Sequence, residues 1–119
     1  MNRLLLGAAS GLLIYWALAE DDAPASDRMT RLRPFDHDGV ADTPCVPAAY
    51  HVTNCAGRSE YVGHTMCLQR RLREHLRSGR IGRACRYQYR RASSKSNAAR
   101  LERAYTLRFD PRQNLRKPT

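Results

Sequence analysis

The spacing of apolar residues changes once in the second half of this chain, and that change limits the folds open to it. Val46, Ala48, Tyr50 and Val52 fall at every second position, and Glu60-Tyr61-Val62 forms a second short run ending at Gly63. A period of two lines one face of a strand. Asn54-Cys55-Ala56-Gly57 supplies turn residues between the runs, so the two strands form a hairpin. From Met66 the period becomes four: Leu68, Leu72 and Leu76 make one stripe of a helix that Gly79 can end as a C-cap. Cys85, Tyr87 and Tyr89 alternate with Arg86, Gln88 and Arg90, which predicts a third strand at a sheet edge, where the charges meet solvent. Ser96 is an N-cap candidate for a second helix over 97–109, turning Leu101 and Tyr105 inward and stopping at Asp110-Pro111. The expected fold is a small α+β layer structure, β-β-α-β-α, with a three-stranded antiparallel sheet flanked by helices.

Two other kinds of segment precede this domain. Met1-Asn2-Arg3 is a positive start, and residues 4–19 are an uncharged run of sixteen closed by Glu20-Asp21-Asp22. Such a run spans roughly 24 Å as a helix, short of the roughly 30 Å hydrocarbon layer. Ala17-Leu18-Ala19 has the small-x-small form of a cleavage site, so residues 1–19 read as an export signal, or alternatively as an uncleaved membrane anchor. Either leaves the domain outside the cytoplasm, periplasmic or secreted, because Arg3 stays inside. A start at Met29 would instead give a cytoplasmic product. Residues 20–44, with Pro24, Pro34, Pro44 and several aspartates, read as a flexible acidic linker, and 45–119 as the domain.

Charge is segregated along the chain. Residues 1–57 hold four basic and seven acidic side chains, a net of −3; residues 58–119 hold seventeen and four, a net of +13. Fifteen of the seventeen are arginine, whose planar fork bonds phosphate oxygens in pairs, so a polyanionic partner is expected, most simply nucleic acid. An anionic membrane surface or cell-wall polymer is the rival partner, and a solvated basic face the plain alternative. Cys45, Cys55, Cys67 and Cys85 all lie in the domain without a CxxC pair, which argues against a zinc knuckle and, given export, for disulfides. A hairpin turn near residues 56 and 57 sets Cys45 across from Cys67, and an antiparallel third strand brings Cys85 towards Cys55. Cys45–Cys67 with Cys55–Cys85 is therefore the expected choice among three pairings.

Ala48-Ala49-Tyr50, the ten residues separating Tyr50 from Tyr61, Tyr61-Val62-Gly63, Arg71, Glu102 and Asn114 together resemble the GIY-YIG nuclease superfamily over residues 45–118. The order and spacing carry the resemblance, since each motif alone is common. It implies a metal-dependent endonuclease cutting DNA, or RNA, with little sequence specificity, one Mg²⁺ or Mn²⁺ ion and no small-molecule cofactor. Tyr50 matches the tyrosine that orients or deprotonates the attacking water, and Tyr61 the one that bonds the water or a phosphate; a phenol's ordinary pKa near 10 means Arg71 or the metal must favour its ionised form. Gly63 matches the glycine that lets a phosphate approach the backbone. Arg71 matches the arginine that steadies transition-state charge, with His75 one turn on as a proton relay or phosphate contact. His64 stands where many relatives carry lysine. Glu102 matches the metal ligand and Asn114 a supporting asparagine. Arg70, Arg73 and Arg77 are expected backbone-phosphate contacts. The departure is at Ala48-Ala49, where the family carries a glycine and an aliphatic residue; it bears on turnover more than on packing. A non-catalytic nucleic-acid-binding module of the same fold, and an envelope protein tethered through residues 4–19, are the alternatives.

Overall fold

The computed structural model describes residues 27–113. The expected signal or anchor at 1–19, the start of the linker and Asn114 lie outside them. The elements are β1 (Arg33–Pro34), α1 (His37–Ala41), β2 (Ala48–Thr53), β3 (Ser59–Thr65), α2 (Leu68–Ser78), β4 (Arg86–Arg91) and α3 (Lys95–Phe109). The strands make one antiparallel sheet in the order β1-β4-β2-β3.

The fold is α+β as expected, with one strand more than the sequence suggested. The fourth strand comes from the stretch read as linker. Phe35 N donates to Cys85 O at 3.0 Å and Thr30 N to Tyr89 O at 2.8 Å, which seats β1 along β4. Phe35 and Val40 then enter the core, with Val40 fully buried. Tyr87 OH donates to Gly39 O and also bonds Thr43 Oγ1, tying α1 to the sheet. β4 is therefore an inner strand, and its outer side is covered rather than open to solvent. No periodicity announces a two-residue strand containing proline; the pairing is dictated by the tertiary fold.

The sheet is covered on both faces. Tyr50, Val52, Leu68, Leu72, Ile81, Tyr87, Phe35 and Val40 form the core beneath α1 and α2. Ala49, Val62 and Tyr105 form a smaller one beneath α3, with Met29, Leu101 and Phe109 packed against it. β2 is thus buried at all six positions, although its sequence alternates. Burying an aliphatic side chain fully is worth about 1.5–3 kcal/mol, so the Leu68–Leu72 stripe alone holds α2 firmly.

Local signals set the helix ends. Gly79 adopts φ 65°, and its N–H bonds His75 O, ending α2 where the sequence predicts. α2 begins at Leu68 rather than at Met66, because Cys67 is the N-cap and Cys67 N donates to Thr65 Oγ1. α3 is capped by Ser94, not Ser96: Ser94 Oγ accepts from Asn97 N at 3.1 Å, a contact worth about 1 kcal/mol.

Cys45 is bonded to Cys67 and Cys55 to Cys85, the expected pairs. They close separations of 22 and 30 residues, each worth about 3 kcal/mol in the chain-entropy account. The first fixes the start of α2 beside β2; the second ties the hairpin turn to β4. Two disulfides fit an oxidising compartment of the kind an exported protein meets. No helix among the described residues is long and apolar enough to cross a membrane.

Candidate active site

Pairing in the hairpin places Tyr50 opposite Gly63. Alternation along β3 then sends Tyr61 and Gly63 to the α2 face, and Glu60, Val62 and His64 to the α3 face. A side chain at position 63 would collide with the two tyrosines: an added Cβ would lie 2.6 Å from Tyr50 Oη, 2.7 Å from its Cζ and 2.9 Å from Tyr61 Cε2. Gly63 is thus a vacancy that lets both rings converge, rather than a turn residue.

α2 brings the other members to the same place. Leu68 and Leu72 face the core, and the same helical period turns Arg71 and His75 to the sheet margin. Tyr50 Oη and His75 Nε2 share a hydrogen bond of 2.8 Å. The Tyr50 and His75 ring centroids lie 5.7 Å apart, Tyr61 and His75 5.1 Å, and Tyr50 and Tyr61 6.0 Å. Tyr50 and His75 are buried, whereas Tyr61 and Arg71 reach solvent. Arg71 Nη1 donates to Glu74 Oε1 at 2.9 Å, which holds one arm of its fork.

The electrostatics of this cluster bear on its chemistry. Burial pushes the Tyr50 phenol well above its ordinary range, Tyr61 pushes it the same way, and the Arg71 charge opposes both without winning. The phenol is therefore protonated at neutral pH, contrary to the ionised tyrosine that the sequence reading required. Burial, reinforced by the charges of Arg71 and Arg80, lowers the His75 imidazole to about 4, against a smaller opposing pull from Glu74, so His75 is neutral. A buried phenol bonded to a neutral imidazole can pass a proton along the pair.

Glu102 is held elsewhere at the same margin. Its Oε1 bonds His64 Nδ1, joining α3 to β3 on the opposite face from the tyrosines. Gly63 and His64 are consecutive on the outermost strand, so the two groups lie back to back across it. Tyr50, Tyr61, Arg71 and His75 are brought together as one cluster, and Glu102 forms a second with His64. Both Glu102 and His64 stay partly exposed, at 28% and 32% of their side-chain surface. The Glu102 carboxylate alone fits a divalent ion held by one carboxylate, with water and phosphate oxygens completing the shell. Among the described residues no group of three or more His, Cys, Asp or Glu converges on a metal position. Arg70, Arg73 and Arg77 project from α2 into solvent, Arg70 within 3.7 Å of Glu74.

Sequence reasoning missed Glu60 and His51. Glu60 is wholly buried: Asn54 Nδ2 and Gln113 Nε2 donate to it, and Arg112 Nε lies 3.7 Å away. With Arg112 N on Ser59 O and Gln113 N on Glu60 O, it fastens the chain after α3 to the free edge of β3. The available signal was its place directly before Tyr61-Val62 on the strand, in a chain half short of carboxylates.

No family model matches the chain, and no curated protein matches it.

Proposed function

We propose that this domain hydrolyses phosphodiester bonds of nucleic acid, DNA before RNA, in a metal-dependent reaction outside the cytoplasm. The observation that carries the reading is the buried Tyr50–His75 hydrogen bond, made beside Arg71 in a space that only glycine at position 63 leaves open. The GIY-YIG resemblance and the +13 half point the same way.

In the proposed reaction His75 carries its proton on Nδ1, and Tyr50 donates to Nε2. A water at the Tyr50 oxygen attacks phosphorus, giving its proton to that oxygen as the phenol proton passes to Nε2; base assistance of this kind is worth about 10²–10⁴-fold. The P–O bond to the departing sugar oxygen breaks, and that oxygen takes a proton from solvent. Tyr61, less buried, orients the water or a phosphate oxygen. Arg71 offers the fork donors not taken by Glu74 to the phosphate oxygens, where negative charge grows in the transition state. Glu102, across the outermost strand from the tyrosines, would hold Mg²⁺ or Mn²⁺ at the rim of β3, and an ion there would supply Lewis-acid stabilisation to a phosphate that reaches round that edge. Arg70, Arg73 and Arg77 neutralise backbone phosphates and add salt-dependent affinity with little sequence preference.

Purified protein with Mg²⁺ or Mn²⁺ is expected to nick supercoiled plasmid. Arg71→Ala is expected to lower the rate by about 10²–10³-fold, as loss of a transition-state donor does elsewhere, and Glu102→Ala to lower it comparably, with both variants folded by circular dichroism. A wild type inert across metals, DNA and RNA would end the proposal.

A binding module without turnover has one observation on its side: Glu102 already has a protein partner in His64. In that reading Glu102→Ala leaves salt-dependent nucleic-acid binding unchanged and no nicking is seen.

A further inference from the structure

The acidic residues after position 57 are Glu60, Glu74, Glu102 and Asp110. Glu60 is buried among Asn54, Gln113 and Arg112, Glu74 lies against Arg70 and Arg71, and Asp110 is the C-cap of α3. Glu102 differs in that its hydrogen bond goes to an imidazole nitrogen, from a different element, with both side chains open to water. Two metal-ligating atoms, one nitrogen and one oxygen, therefore face each other at the rim of the sheet.

We propose that His64 is a metal ligand together with Glu102, giving the site a nitrogen donor and a preference for Mn²⁺, Co²⁺ or Zn²⁺ over Mg²⁺. The inference rests on the reading of Glu102 as the metal carboxylate and adds to it the second ligand and the class of ion. Imidazole suits borderline transition ions, whereas Mg²⁺ strongly favours oxygen. Neighbouring ligands at about 2.1 Å from an ion stand roughly 3 to 3.4 Å apart, so the two partly exposed side chains separate slightly as an ion enters between them. Nδ1 and Nε2 both serve as ligands in proteins. The site is reachable, because each side chain keeps roughly three-tenths of its surface in solvent. It is also incomplete, leaving positions for water and substrate phosphate, as a hydrolytic ion needs.

Metal binding is measured without substrate, by titrating the protein with Mn²⁺ alone and with Mg²⁺ alone and following the histidine ring signals by NMR. Mn²⁺ is expected to broaden the His64 ring at the lowest ion concentration and most strongly of the histidine rings, and to bind at least about tenfold more tightly than Mg²⁺. His64→Gln, which keeps a hydrogen-bond donor for Glu102 and loses the imidazole, is expected to weaken Mn²⁺ by at least about tenfold, the lower end of what loss of a ligand's hydrogen-bonded neighbour costs, while Mg²⁺ changes little. Glu102→Gln is expected to remove both ions. Amide spectra of each variant verify the fold. Mn²⁺ binding unchanged in His64→Gln, or no broadening of the His64 ring in the wild type, overturns the assignment. The nuclease reading is judged separately: Mn²⁺ held by both residues in a protein that never nicks DNA keeps the ligand pair and discards the nuclease. Nicking combined with unaltered Mn²⁺ binding in His64→Gln does the reverse.

Discussion

His75 and His51 are both buried, one on each face of the sheet, and they differ in what their surroundings leave for them to do. His51 Nδ1 bonds Gln88 Oε1 and its Nε2 bonds Ser59 Oγ, both at 2.8 Å, while its ring stacks on Phe109 with centroids 3.8 Å apart. Gln88 Nε2 donates to Thr30 O, so Gln88 Oε1 accepts from His51 and the tautomer is fixed. His51 is saturated: both nitrogens are occupied and one ring face is covered. His75 has one bonded nitrogen, and that bond goes to a phenol rather than to an amide or an alcohol. Among the described residues its Nδ1 has no protein partner. The lesson is that burial alone does not mark a chemical histidine; an incomplete hydrogen-bond set beside a cation and a second titratable group does.

Exchanging the two histidines for non-titrating residues is the strongest way to break this contrast. His75→Gln is expected to lower single-turnover cleavage by about 10²–10³-fold with the unfolding midpoint little changed. His51→Ala is expected to do the opposite, costing about 1–3 kcal/mol by leaving the Ser59 and Gln88 groups unpaired, with cleavage per folded molecule unaltered. Denaturant unfolding and single-turnover assays on both proteins measure the two arms. Similar losses of rate in the two variants would erase the distinction between the faces.

A smaller effect sharpens the contrast through pH. His75 titrates near its ordinary 6.5 when unfolded and near 4 when folded, so between these values the unfolded chain binds more protons. Stability should therefore fall as pH drops from about 6.5 towards 4. Burial lowers His51 as well, and its contribution has the same sign. Urea unfolding from pH 7.5 to 4 should show a decline in this window that is shallower in His75→Gln. Cleavage, needing neutral His75, should keep its acid limb near pH 4 rather than 6.5. An acid limb at 6.5 would mean that His75 is solvated during cleavage.

What could be read from the sequence follows from which forces act locally. Periods of two and four, the Gly79 cap and the antiparallel hairpin are local, and they gave β2, β3, α2, α3 and the cysteine pairs correctly in kind. The β1 strand was illegible because Arg33 and Pro34 have no strand signal; the backbone bonds to Cys85 and Tyr89 and the packing of Phe35 in the core against Tyr87 hold them there. The GIY-YIG resemblance grouped Tyr50, Tyr61, Arg71 and His75, which the fold brings together. It could not give the protonation of Tyr50, since burial under α2 decides that and outweighs Arg71. Nor could it give the separation of Glu102 from the tyrosines, because one-residue alternation on β3 sends Gly63 and His64 to opposite faces.

Tyr50→Phe removes one oxygen and leaves the ring in its place, so it tests the chemical role of the α2 face most directly. Single-turnover cleavage of plasmid by the purified variant, measured per folded molecule, is expected to be at least about 10²-fold slower than wild type, with Mn²⁺ binding close to wild type and stability lower by about 1–3 kcal/mol because buried His75 loses its hydrogen-bond partner. A Phe variant that cleaves at the wild-type rate would contradict the account, whatever the other substitutions show.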